Sequence, residues 1–175
     1  RTFIFNHSTV HHFIHGSFPK KDCIDQRIRV GGLLGGHLEI EIDNSVYGFE
    51  FENEKKIHIF SRKKSSEYNS IFTKKEKTDW ILETELDKMT SIKIPVTTKQ
   101  KKELMTKLQF AHQNLPYDYS FFGMRCASST YEDLSSIGVF PKKWRFQYII
   151  NAFYPRQLRI RMVSWANNNN INVVL

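Results

Sequence analysis

The sequence predicts an α+β domain, with an antiparallel sheet of about five or six strands packed against helices on one side. Three stretches carry that prediction. Residues 37–42, HLEIEI, alternate apolar and polar side chains with the period of a half-buried strand. Residues 46–52, VYGFEFE, repeat the alternation after a DNS turn, which makes the pair a hairpin. Residues 97–115 carry Leu104, Leu108, Ala111 and Leu115 at three- and four-residue spacing behind Thr97 or Thr98, either of which can cap a helix.

The remaining elements follow in order. STVHHFIH, 8–15, is rich in β-branched and aromatic residues and reads as a strand ending at Gly16. A turn-rich connection and the glycines of GGLLGG, 31–36, lead into the hairpin. KIHIFS, 56–61, reads as a third strand of that sheet, and the polar stretch 64–79 as loop. DWILETELDKM, 79–89, reads as a short helix, and SIKIPV, 91–96, as a strand. CASSTYEDLSSIG, 126–138, reads as a second helix stopped by Gly138. The apolar segments after residue 145 have no clear period, and NNNN, 167–170, reads as a turn.

A chain of 175 residues that is 40% hydrophobic can bury one core and is too short for two, so 1–175 reads as a single domain. No apolar run reaches the roughly 20 residues that a membrane span requires. The start, RTFIFNHST, has neither an initiator Met nor a charged-then-apolar leader. Removal of a leader is one reading of it, and would place the domain in the cell envelope or outside the cell.

A net charge of +8 suits an anionic partner: a cell-wall polymer, a membrane surface or nucleic acid. The charge comes from scattered lysine pairs, RKK at 62–64 and RQLRIR at 156–161, which read as solvated surface. No nucleic-acid-binding signature accompanies them, so nucleic acid is disfavoured. The charge does not indicate the oligomeric state.

Two cysteines make no disulfide framework. Cys23 lies in a polar stretch with no evident base beside it. Cys126 opens a helix, where unpaired backbone N–H groups and the helix dipole lower a thiol's pKa. A thiol nucleophile also needs a histidine and a group to orient it. His37 offers the histidine, on the polar face of its strand. With Asp43–Asn44 as the turn, Glu50 lies opposite His37; with Asn44–Ser45, Glu52 does. Opposed residues have Cβ atoms about 4.5–5.5 Å apart, close enough for a carboxylate to hold an imidazole. Glu50 is preferred and Glu52 is the alternative third member; Glu39 shares the face.

GGHLEIEID…VYGFEF, followed by LPYDYSFFGMRCASSTYEDL, resembles the circularly permuted branch of the NlpC/P60 papain-like cysteine hydrolases. The likeness spans roughly residues 10–140. It is strongest to the YiiX-like group and more distant to the lecithin:retinol acyltransferase-like enzymes. It implies a papain-like fold in permuted order, with the histidine strand before the cysteine helix. It further implies a nucleophile at Cys126, a base at His37, an orienting residue on the next strand and an oxyanion donor in the Cys126 N–H. Tyr117 and Tyr119 would line the site. Arg125 stands where many relatives carry Asn or an aromatic, and a Glu third member replaces the usual His; an Arg beside the thiol favours its ionised form.

The expected activity is that of a cysteine peptidase or amidase cutting an amide bond in a peptide or peptidoglycan stem, without metal or organic cofactor. Two rivals stand beside it. Phe121, Phe122, Tyr117, Tyr119 and Trp144 read as core, but could wall an acyl groove for a lipid acyltransferase or thioesterase. The other rival is a catalytically inactive module that binds an anionic polymer. His7, His11 and His15 would make a metal stripe on a helix, but not on the strand that STVHHFIH predicts. His58 and His112 read as surface residues.

Overall fold

The computed structural model describes residues 7–15, 36–51, 59–60, 70–85, 89–171 and 173–174. Five strands of seven to nine residues and one two-residue strand form a single sheet: β1 (His7–His15), β2 (Gly36–Ile42), β3 (Ser45–Phe51), β4 (Ser70–Glu76), β5 (Met89–Val96) and β6 (Val173–Val174). The spatial order is β4-β3-β2-β1-β5-β6 and every pairing is antiparallel. Five helices complete the fold: α1 (Lys77–Thr84), α2 (Thr98–Asn114), α3 (Cys126–Ser136), α4 (Arg145–Asn151) and α5 (Pro155–Asn168).

The β2–β3 hairpin turns at Asp43–Asn44, with Ile42 opposite Ser45 and Ile40 opposite Tyr47. Asp43 takes a φ of +55°, a conformation that Asp tolerates better than most side chains. This register puts Leu38, Ile40, Ile42, Tyr47 and Phe49 on one face. There they meet Phe13, Phe72, Ile92, Ile94 and Val96, together with the buried sides of α2, α3 and α5.

The 64–79 stretch is not all loop. Residues 70–76 form β4, which pairs with β3, and α1 starts at Lys77 rather than Asp79 and ends at Thr84. The alternation Phe72, Lys74, Glu76 is too polar to stand out as a strand, and pairing with β3 decides it. The predicted strand at 56–61 lies largely outside the described residues, and its described part, 59–60, is a bend. The helices also do not all lie on one side. Trp80 of α1 packs its ring 4.4 Å from that of His12 and donates to Glu39, both on the polar face. Trp80 is 3% exposed but stands apart from the main core.

Thr97 caps α2 in a reciprocal box: its hydroxyl accepts from the Gln100 N–H and its own N–H donates to Gln100 Oε1. The same Gln100 donates through Nε2 to the Ile137 carbonyl at the end of α3, 2.8 Å away. Lys107 meets the buried Asp133 of α3 at 3.0 Å. Burial raises the Asp133 carboxyl to about 6, although the Lys107 charge pulls the other way. These contacts fix α3 along α2, and so fix where its first residue, Cys126, sits.

Candidate active site

The polar face of the sheet carries a row that crosses five strands. Ser91 on β5 pairs with His12 on β1, His12 with Glu39 on β2, Glu39 with Gly48 on β3, and Gly48 with Thr73 on β4. Carrying the hairpin register two residues beyond Glu39↔Gly48 places His37 opposite Glu50. The imidazole of His37 and the carboxylates of Glu39 and Glu50 come within 4.8 Å of one another. The nearest resolved approach is His37 Nε2 to Glu39 Oε1, at 3.9 Å. Glu39 Oε2 in turn accepts the Trp80 indole N–H at 2.5 Å, which fixes the carboxylate.

His37 and Cys126 also interact electrostatically. Burial alone would push the His37 ring down. The interaction with the Cys126 thiolate and the charges of Glu39 and Glu50 outweigh it and push the ring up to about 9. Burial alone would push the Cys126 thiol up. The interaction with His37, the Tyr119 hydroxyl and the charge of Arg125 reverse this and lower it. Both directions favour a thiolate beside an imidazolium. Cys126 is 2% exposed, whereas a quarter of the His37 side chain is open (25%), so solvent reaches the pair from the imidazole side.

The approach to the thiol is built by the 116–125 segment. The Tyr119 N–H donates to Ser70 Oγ at the start of β4, 2.7 Å away, and the Tyr119 ring rests on Phe49 and Phe51. Its hydroxyl stands 3.8 Å from Cys126 Sγ. Burial and the neighbouring thiolate raise the Tyr119 hydroxyl well above its ordinary value, so it stays protonated and can donate to sulfur. Tyr117 is not at the thiol. Its hydroxyl meets Ser129 Oγ at 2.9 Å and its ring lies under the Arg145 guanidinium, so it anchors the helix one turn further on.

Arg125 precedes the helix and offers no acceptor to cap it. Its own N–H donates to Ser128 Oγ at 2.8 Å, and no side chain caps the first turn. The start of α3 therefore keeps its N–H groups free of side-chain acceptors, beside the thiol. The Arg125 guanidinium packs over the rings of Phe121, Phe153 and Tyr154. Phe121 and Phe122 are not core: each is about half exposed (47% and 48%), and they form a ledge with Phe60 and Phe153. Trp144 is exposed as well.

Glu52, Cys23 and His58 lie outside the described residues. His7, His11 and His15 lie on a strand, not a helix. His11 is fully buried and bonds to Thr9 Oγ1, and burial pushes its ring down to about 3. His12 faces the other way, held between Ser91 Oγ at 2.8 Å and Glu41 Oε2 at 2.9 Å, with Lys77 on the same carboxylate. His112 is exposed and bonds the Phe72 carbonyl.

Three groups at the site were not singled out from sequence: Gly48, Thr73 and Trp80. A β-carbon on Gly48 would lie 3.1 Å from each of Glu39 Oε1, His37 Nε2 and Thr73 Oγ1. A glycine inside an otherwise bulky strand is the sequence signal for such a close approach. Trp80 left no signal, because nothing local says which face of the sheet α1 covers. No family model, curated protein or solved structure matches the chain.

Proposed function

We propose that the domain is a cysteine-nucleophile hydrolase acting on an amide bond in a peptide or peptidoglycan stem, as its likeness to the permuted NlpC/P60 enzymes suggests. The reading rests on the place of Cys126 at the first residue of a helix and on its interaction with His37, which lowers the thiol and raises the ring. A thiolate there attacks the carbonyl carbon. The developing oxyanion is met by the backbone N–H of Cys126, and Tyr119 steadies the sulfur before attack. His37 gives its proton to the leaving amine, and the acyl group stays on sulfur as a thioester. His37 then takes a proton from water, which cleaves the thioester and restores the pair. Glu39 and Glu50 hold the imidazolium; Glu39, anchored by Trp80, is the better fixed of the two.

The aromatic ledge of Phe60, Phe121, Phe122 and Phe153, next to Arg125, favours a second reading. In it the acyl donor is a lipid ester or thioester, and the chain lies along those rings. One experiment separates the two. The protein is offered peptidoglycan stem peptides and long-chain acyl thioesters in parallel, and the mass of the Cys126 peptide is read after quenching. A stem-peptide adduct on Cys126 that is absent in Cys126→Ala supports the amidase. An acyl-chain adduct alone supports the lipid reading. Turnover that survives Cys126→Ala contradicts both.

A further inference from the structure

We propose that His37, Glu39 and Glu50 form a binding site for a divalent first-row cation of the zinc type, at the small cradle above the Cα of Gly48. In the hydrolase reading the same carboxylates hold the His37 ring, so a cation there and a proton on Nε2 exclude one another. Three observations define the site. The ligand atoms of the three residues lie within 4.8 Å of one another, across two adjacent strands. His37 Nε2 is a buried nitrogen with no hydrogen-bond partner. The space is shaped as well: a single β-carbon on Gly48 would sit 3.1 Å from His37 Nε2, Glu39 Oε1 and Thr73 Oγ1 at once, so three polar atoms converge on one small volume.

The donor set suits the cation. Imidazole nitrogen and carboxylate oxygen are both ligands that zinc takes, with bonds of about 2.0–2.2 Å. Neighbouring ligand atoms then stand about 3.5 Å apart, so the His37–Glu39 separation of 3.9 Å needs only a small rotation to close. Two carboxylates neutralise the charge of a divalent ion in a region where Glu39 is 3% exposed. The outer shell is also present. The Trp80 indole holds the second oxygen of Glu39, as outer hydrogen bonds hold metal-ligating carboxylates. Lys75, the cation that faces these carboxylates, is held at 2.6 Å by Glu83. Cys126 Sγ is not part of the cluster. A cation on Nε2 competes for the ring that must carry the catalytic proton, so it acts as a reversible inhibitor; that last step rests on the hydrolase reading, the site itself does not.

The test uses chelator-treated protein titrated with Zn2+ by calorimetry and with Co2+ by absorbance. The proposal predicts one-to-one binding that persists in Cys126→Ser. It predicts Co2+ ligand-field bands without a thiolate-to-cobalt charge-transfer band. Glu50→Gln and Gly48→Ala each weaken Zn2+ by tenfold or more, and Trp80→Phe weakens it by about tenfold. Circular dichroism confirms that each variant is folded, and the cobalt spectrum of the unmodified chain needs no variant. No one-to-one binding, or a charge-transfer band that disappears in Cys126→Ser, overturns the proposal. The hydrolase reading is judged separately, by adducts on Cys126 in metal-free protein: either result can fail while the other stands.

Discussion

A β-carbon placed on Gly48 would stand 3.1 Å from His37 Nε2. The ring of the proposed base therefore occupies space that only a glycine on the neighbouring strand leaves open. Gly48→Ala should displace that ring, lower Cys126 reactivity and cost about 1–3 kcal/mol of stability, the usual range for overpacking. Gly138→Ala is the control. Its φ of +78° makes alanine costly by about 1 kcal/mol, but open space surrounds it, so stability should fall with reactivity unchanged. Urea unfolding and alkylation rates on both variants check this.

Tyr119→Phe removes the hydroxyl 3.8 Å from Cys126 Sγ and leaves the ring on Phe49 and Phe51. The contact is long, so a loss of about 0.5–1 kcal/mol of thiolate stabilisation is expected, or roughly twofold to fivefold less thiolate below the midpoint. Tyr117→Phe should instead loosen α3 at Ser129 and leave the thiol midpoint unchanged.

Trp80→Phe keeps most of the packing against His12 but leaves Glu39 Oε2 without its indole donor. A destabilisation of about 1–3 kcal/mol is expected, together with a shift in the His37 titration followed by NMR. An unshifted His37 would mean that Glu39 does not govern the ring.

His11 sets an acid limit on the fold. Its ring is pushed down to about 3 by burial, while in the unfolded chain it takes a proton near 6.5. Below 6.5 the unfolded state binds the proton and the native state does not, so stability falls from pH 6.5 toward 3. Asp133 works in the opposite direction between about 6 and 4, since its carboxyl is raised in the native state. His11→Gln should flatten the acid limb of the unfolding midpoint against pH.

Much of this site was legible in the strand alternation. Period-2 patterning fixed which residues of HLEIEI and VYGFEF share a face. The Asp43–Asn44 turn then selects the register that sets His37 against Glu50. Two features were not legible. β4 and α1 lie in a stretch of alternating charge whose structure depends on the edge of β3 and on the polar face that Trp80 covers. The place of Glu39 depends on that same indole, which no spacing in the chain links to β2. Phe121 and Phe122 read as core because aromatics usually are; next to Arg125 they stay half open.

Whether Cys126 and His37 form a thiolate–imidazolium pair is read by ultraviolet thiolate absorbance against pH. The trace for Cys126→Ser is subtracted, so that only Cys126 is read and its burial does not matter. A midpoint below the ordinary value of about 8.5, moving up by about a unit or more in His37→Ala, is expected. A midpoint at or above 8.5 in both proteins would contradict it.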